Sequence, residues 1–340
     1  MIGLGPRRPG QGLRRAAAVA AWLLAALLLP AGPARADTPA CAPPAQAPDD
    51  TALAALQRDA RDHGMLWRIT RDGRTSWLYG TLHVGRRAWA APGPVVRRAL
   101  AASQLLAVEL DPTDPGTQAQ LQARLAPDPR LSLTPELDAR LAVQLERACL
   151  PPAMARQVAP DLLGPLLMLA AARPDGYEAA FGIDLALIRA ARARGTPVHA
   201  LETAALQLDS LLSRTDAELR SGLDATLTAL ERGEVRPMMA RLAQLWADGR
   251  DDELARYADW CACAETPDDR ARLARLLDGR NPGLADGIER LHADGRAVFA
   301  AVGSLHLVGP AGLPALLAAR GFTVAREPLP PPPARPPVSR

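Results

Sequence analysis

Gly80-Thr81-Leu82-His83 closes the apolar run Trp77-Leu78-Tyr79, and Gly303-Ser304-Leu305-His306 closes a second run, Val298-Phe299-Ala300-Ala301-Val302. The chain has only 5 histidines, so two of them stand in one repeated context. The first copy runs Asp72-Gly73-Arg74, apolar strand, Gly80-x-Leu-His83, loop, helix, strand, Glu109. The second runs Asp294-Gly295-Arg296, apolar strand, Gly303-x-Leu-His306, loop, helix, strand, Glu327. The intervals differ by a few residues, which fits an old or convergent duplication and not a repeat array. Each copy reads as a β-loop-α-β unit with a right-handed crossover, and two such units can share one sheet with their strand ends on one edge. Open α/β sheets place ligands at that edge.

The rest of the chain gives the fold class: α/β, with a central sheet built from two β-loop-α-β units at the two chain ends and a large helical insertion between them. Leu66 to Thr70, a turn at Asp72-Gly73, and Thr75 to Leu82 read as strand, hairpin turn, strand. A helix over 94–103 and a buried strand over 105–110 follow, the latter carrying Glu109 near its end. From about 115 to 278 the pattern is helical between Pro and Gly punctuation, broken by one short strand over 197–201 that ends in Glu202-Thr203. A helix over 282–293, a strand over 296–307, a helix over 313–320 and a strand over 322–327 complete the domain. Residues 328–340 are Pro-rich and expected to be a disordered tail.

Residues 1–36 read as a secretory signal peptide: arginines 7, 8, 14 and 15, an apolar run from Ala16 to Leu29, then Ala34-Arg35-Ala36 before Asp37. The run is short of the ~20 residues of a membrane span. The mature chain, 37–327 plus the tail, is therefore expected to be periplasmic or secreted, with no stable membrane span. The formal charge of +3 includes five leader arginines and no leader acids, so the mature chain carries 35 of the 40 basic residues against 37 acidic ones, a net charge of −2. A pI of 8.9 is then no sign of a nucleic-acid partner. Every basic residue is Arg, which excludes lysine Schiff-base chemistry and a Lys-bearing phosphate loop. Four cysteines in an exported chain favour disulfides, and Cys41–Cys149 with Cys261–Cys263 is the preferred pairing.

A glycine just before a strand end permits close backbone approach or positive φ, and a histidine three residues on projects past the sheet edge. Two neutral imidazoles and a carboxylate suit zinc, manganese, cobalt or iron, with positions left open for water or substrate. Glu109 is the expected carboxylate, as the end of the strand next to the first motif. Metal-activated water would give hydrolysis. The other histidines read as ordinary: His63 and His292 on polar helix ends, His199 alternating within a short strand. Trp67, Trp77 and Trp89 around the first motif read as core and pocket wall. There is no HExxH, no GxSxG and no glycine-rich phosphate loop.

The ordered set Leu78-Tyr79-Gly80-Thr81-Leu82-His83, Val108-Glu109-Leu110, Gly182-Ile183-Asp184, Gly195-Thr196-Pro197-Val198, Leu201-Glu202-Thr203, Arg280-Asn281, Val302-Gly303-Ser304-Leu305-His306-Leu307 and Gly312-Leu313 resembles the TraB/GumN family. The wider group includes the Tiki metalloproteases and is distantly related to erythromycin esterases and ChaN haem-binding proteins. The resemblance runs from Leu66-Trp67 to about Glu327. It implies metal-dependent peptide cleavage, with His83, His306 and Glu109 holding the ion. It also implies that Arg280 is an anion or oxyanion partner, since its planar donor fork fits a carboxylate or a developing oxyanion. Glu202 reads as a general base or as a helix N-terminal acid, and Asp184 carries the same ambiguity. The expectation is an exported hydrolase that needs a divalent ion and acts on a peptide or unfolded segment. Its rivals are a non-catalytic haem binder and a protein that sequesters peptides.

Overall fold

In the computed structural model the structure describes residues 41–330, apart from residue 262. The leader expected over 1–36 and the tail beyond 330 lie outside these residues. The apolar runs form six strands: β1 (Leu66–Arg71), β2 (Arg74–Thr81), β3 (Leu105–Val108), β4 (Val198–Ala200), β5 (Val298–Gly303) and β6 (Thr323–Glu327). They make one sheet in the order β4-β3-β5-β2-β1-β6. β1 and β2 are a hairpin joined at Asp72-Gly73, whose φ angles of 53° and 70° are the left-handed pair that a two-residue hairpin turn requires. β5 is parallel to β2 on one side and to β3 on the other, and β3 is parallel to β4. A central parallel strand is covered on both faces and reads as an unbroken apolar run. Val298 to Val302 are accordingly almost wholly buried.

Both chain ends therefore contribute to one sheet, and the two histidine motifs end adjacent parallel strands, with Gly80 opposite Val302 and Thr81 opposite Gly303. Three expectations need correction. β3 lies against β5, so Glu109 stands beside the second motif and not the first. The second-copy strand β6 pairs antiparallel with β1 at the far edge, so Glu327, partnered at 4.0 Å by Arg68, is not a counterpart of Glu109. The strand expected to reach Leu307 stops at Gly303, and Ser304–Leu307 form a turn of 3-10 helix that carries His306 back toward the sheet.

Helices pack their apolar stripes on this sheet. The helix Ile183–Ala193 buries Ile183, Leu187, Ile188 and Ala191, and Asn281–Ala293 buries Leu284, Ala285, Ile288 and Leu291, each at the i, i+3 and i, i+4 spacings of one face. Each fully buried aliphatic side chain contributes roughly 1.5–3 kcal/mol. Most helices of the insertion start where the sequence marks a cap. Asp114, Thr134, Thr203, Thr215 and Thr266 all accept a backbone N–H of the first turn. The insertion has its own apolar cluster, centred on Leu141, Leu145, Leu163 and Leu227. Disulfides join Cys41 to Cys149 and Cys261 to Cys263, the pairing the sequence favoured. Among the described residues no helix is long and apolar enough to cross a membrane.

Candidate functional site

The C-terminal ends of β2, β5, β3 and β4 lie side by side and carry, in that order, His83, Gly303 with His306, Glu109, and Glu202. Neighbouring strands are ~4.8 Å apart, so four sequence-distant segments meet along one short edge. Neither motif glycine has positive φ; both serve close approach. A Cβ on Gly80 would stand 3.3 Å from the Ser304 Cα of the other motif, and one on Gly303 would stand 3.1 Å from Glu109 Oε1. In place of that Cβ, the Gly303 N–H donates to Glu109 Oε1 at 2.6 Å.

Three charged groups are locked together here, each only 8% exposed: Glu109, Glu202 and Arg280. Arg280 forks onto Glu202, Nε donating to Oε1 at 3.0 Å and Nη2 to Oε2 at 2.5 Å, and Nη2 also meets Glu109 Oε2. Its Nη1 donates to the Leu276 carbonyl at 3.2 Å. Gln207 adds a donor to Glu109 Oε2 at 3.3 Å. Buried carboxylates are kept only when paired, and a single guanidinium here serves two. Burial pushes Glu109 upward, but the charges around it and the Gly303 N–H outweigh that and hold it down at about 2. Glu202 is shifted the other way, first by burial and then by the neighbouring Glu109, with Arg280 opposing.

The two histidines are oriented by one device applied twice. Asn281 donates its amide to the Ala311 carbonyl at 2.8 Å, which turns Oδ1 toward His306 Nδ1 at 2.7 Å. An amide oxygen only accepts, so Nδ1 carries the proton and Nε2 keeps its lone pair, 3.9 Å from Glu109 Oε2. Burial lowers His306 to about 4. The ring is therefore neutral at pH 7, and the charge that keeps Glu109 ionised there is that of Arg280 rather than of His306. His83 turns Nδ1 to Asp184 Oδ2 at 3.4 Å, again leaving Nε2 outward. That hydrogen bond raises it to about 9, although the side chain is 66% exposed and water screens the attraction. Asp184 reaches this position because Ile183 N–H donates to the Leu82 carbonyl at 2.8 Å, docking the start of its helix on the first motif.

All five expected residues, His83, Glu109, Glu202, Arg280 and His306, therefore come to one edge, with Asp184 behind His83. Among the described residues, no three His, Cys, Asp or Glu side chains converge tightly enough to hold a metal ion. The donor types suit a divalent ion: two imidazoles held at Nδ1, of which His83 would yield to the ion the proton that Asp184 favours, and an ionised carboxylate. They are not preassembled, because Glu109 is occupied by Arg280, Gln207 and Gly303. The residues that sequence reasoning missed are the orienting ones. Asn281 stands in the sequence only as the neighbour of Arg280, Gln207 carries no signal of its own, and Trp246 crosses from the insertion to donate its indole N–H to the Gly80 carbonyl at 2.7 Å. A buried tryptophan needs an acceptor, and the chain offers few clues to which one.

The remaining histidines lie elsewhere. His292, expected at a polar helix end, is fully buried; Nδ1 meets Ser76 Oγ at 2.9 Å and Nε2 the Arg71 carbonyl at 3.1 Å, which ties its helix to the hairpin. His63 packs among Trp89 and Trp246, and His199 is exposed on β4. No curated protein and no solved structure matches the chain. Residues 65–326 do match a protein family across most of the chain's length, from the start of the hairpin to the end of β6, and on that match the chain belongs to the TraB/PrgY/gumN family.

Proposed function

We propose that the strand-edge site is the centre of a hydrolase that uses a divalent ion, manganese, cobalt, zinc or iron, to cleave a peptide or an unfolded protein segment. The observation that carries this reading is the pairing of β2 with β5, which brings both histidine motifs to neighbouring strand ends, where Asp184 and Asn281 hold each ring by Nδ1 and turn each Nε2 away from that partner. Metal-binding histidines are held in this way by a partner at the other ring nitrogen. His83, His306 and Glu109 are the residues that would hold the ion. A bound ion supplies Lewis acidity and brings the pKa of water toward neutrality. His83 is the exposed member, held by its long contact to Asp184, while His306 and Glu109 are buried. Arg280 keeps Glu109 ionised. Its Nε and Nη2 are committed to the two carboxylates and one Nη1 N–H to the Leu276 carbonyl, so it offsets developing negative charge chiefly through its field. Glu202, held bidentately by the Nε–Nη2 edge of the guanidinium, fixes Arg280 in place. The peptide as substrate class comes from the family resemblance.

The test is the metal content and affinity of the purified mature chain beside His83→Ala and His306→Ala, each offered manganese, cobalt, zinc and iron separately. The expected result is a single ion per chain, lost in either folded variant, together with peptide cleavage that follows the metal. Absence of binding in the wild type overturns the reading. The occupied state of Glu109 favours one rival, peptide binding without turnover. That rival predicts peptide affinity that survives both chelation and loss of either histidine.

A further inference from the structure

The two disulfides of this chain differ in what they can do for stability. Cys41 and Cys149 are 108 residues apart, while Cys261 and Cys263 are 2 apart. The entropy a cross-link removes from the unfolded chain grows with the loop it closes, so the second bridge constrains almost nothing. Its two cysteines are also unequally placed. Cys261 is 3% exposed, whereas Cys263 is half-buried. The Cys263 N–H donates to Cys261 Sγ at 3.1 Å. Around the pair, Arg270 holds the Ala264 and Glu265 carbonyls at 2.9 and 3.0 Å, and Arg241 lies 4.4 Å over the Trp260 ring. Arg270 thereby ties the loop that follows the bridge to the helix Pro267–Leu276.

We propose that Cys261–Cys263 is a thiol–disulfide exchange centre that passes its oxidation to cysteine pairs of unfolded polypeptides. A thiolate of the client attacks Cys263 Sγ, the sulfur of the less buried cysteine. The Cys261–Cys263 bond breaks as the mixed disulfide forms, and Cys261 leaves as a thiolate that accepts the Cys263 N–H and is then protonated from water. The client's second thiolate attacks its own sulfur in the mixed disulfide and expels Cys263. Two electrons have then moved from the client dithiol to the cysteine pair, and a small disulfide such as oxidised glutathione restores the bridge by the same exchange in reverse. This activity is independent of the strand-edge site: the cysteines lie in the loop before the helix Pro267–Leu276, and none of the residues assigned above takes part.

Three measurements on the full mature chain test it. With graded dithiothreitol and alkylation read by mass spectrometry, the 261–263 bridge is expected to open at least roughly tenfold faster than the 41–149 bridge. With oxidised glutathione, Cys261→Ser is expected to accumulate a mixed disulfide on Cys263, and Cys263→Ser to react slowly through its buried thiol. In oxidative refolding of reduced ribonuclease A with oxidised glutathione, the wild type is expected to accelerate disulfide formation, and the Cys261→Ser/Cys263→Ser double variant is not. The double variant's thermal midpoint is expected to match the wild type, so loss of exchange without loss of fold is readable. A 261–263 bridge that resists dithiothreitol longer than the other, or ribonuclease refolding that is unchanged by the wild type, overturns the proposal.

Discussion

At the scale of single residues, the candidate site is a set of acidities pulled apart by local partners. Burial holds His306 down at about 4, and the charges around Glu109 hold it at about 2. Both are below their unfolded values, so in each case the unfolded chain takes up protons first as the pH falls. Stability is then present above the unfolded pKa and lost on acidification, between about 6.5 and 4 for His306 and between about 4.5 and 2 for Glu109. Urea unfolding at pH 7, 5.5 and 4 is expected to show a loss on the order of 2–3 kcal/mol from His306 alone. His306→Gln should flatten that part of the profile. A wild-type profile that is flat from pH 7 to 4, or one the variant reproduces, would show that the ring is not held neutral by the fold.

At the scale of elements, the strand ends are positioned by contacts from outside the sheet. Trp246, on the helix Val235–Ala247, is 1% exposed and donates to the Gly80 carbonyl. Trp246→Phe keeps most of the ring but strands that carbonyl, and a buried unsatisfied acceptor costs about 1–3 kcal/mol. The variant is expected to unfold at lower denaturant by that amount, with an unchanged denaturant slope. A neutral result would mean that water reaches the carbonyl in its place. This contact marks the limit of what the sequence displays. The strands, the hairpin turn and the helices were legible because each follows from local periodicity, Asp72-Gly73, or the Pro and Gly that punctuate the insertion. The duplicated Gly-x-Leu-His brought both histidines to one edge because parallel β-α-β units share strand direction. The position of β3 against β5 was not legible, since strand order depends on pairing over nearly 200 residues of intervening chain. The partners of Glu109 were hidden for the same reason: Arg280, Gln207 and Gly303 come from three separate segments. His292 misled because helix-end polarity predicts exposure, whereas the hairpin supplies a hydroxyl and a carbonyl that let the ring be buried.

At the scale of the whole molecule, part of the insertion shares the apolar cluster of the sheet and part forms a second cluster of its own, and the Cys41–Cys149 bridge ties Cys41 to that second part. Cys149 follows the helix Pro135–Arg147 and its cap Ala148 and has φ of 61°, the left-handed position after a helix end that glycine usually takes. A side chain there costs roughly 1–2 kcal/mol. The bridge must therefore return more than that. Closing a loop of about 100 residues removes roughly 4–5 kcal/mol of unfolded-state entropy in the chain-entropy account. Two double variants separate these terms. Cys41→Ala/Cys149→Ala is expected to lose about 2–5 kcal/mol, the range for removing a native disulfide. Cys41→Ala/Cys149→Gly loses the same cross-link but relieves the left-handed side chain. It should be the more stable of the two by roughly 1 kcal/mol, less whatever glycine gives back through its greater unfolded freedom. The comparison is read from denaturant midpoints under oxidising conditions that keep 261–263 closed. If the glycine variant is no more stable than the alanine one, the turn at residue 149 is shaped by the helix end itself. The bridge would then be holding the N-terminal segment in place without holding any backbone strain.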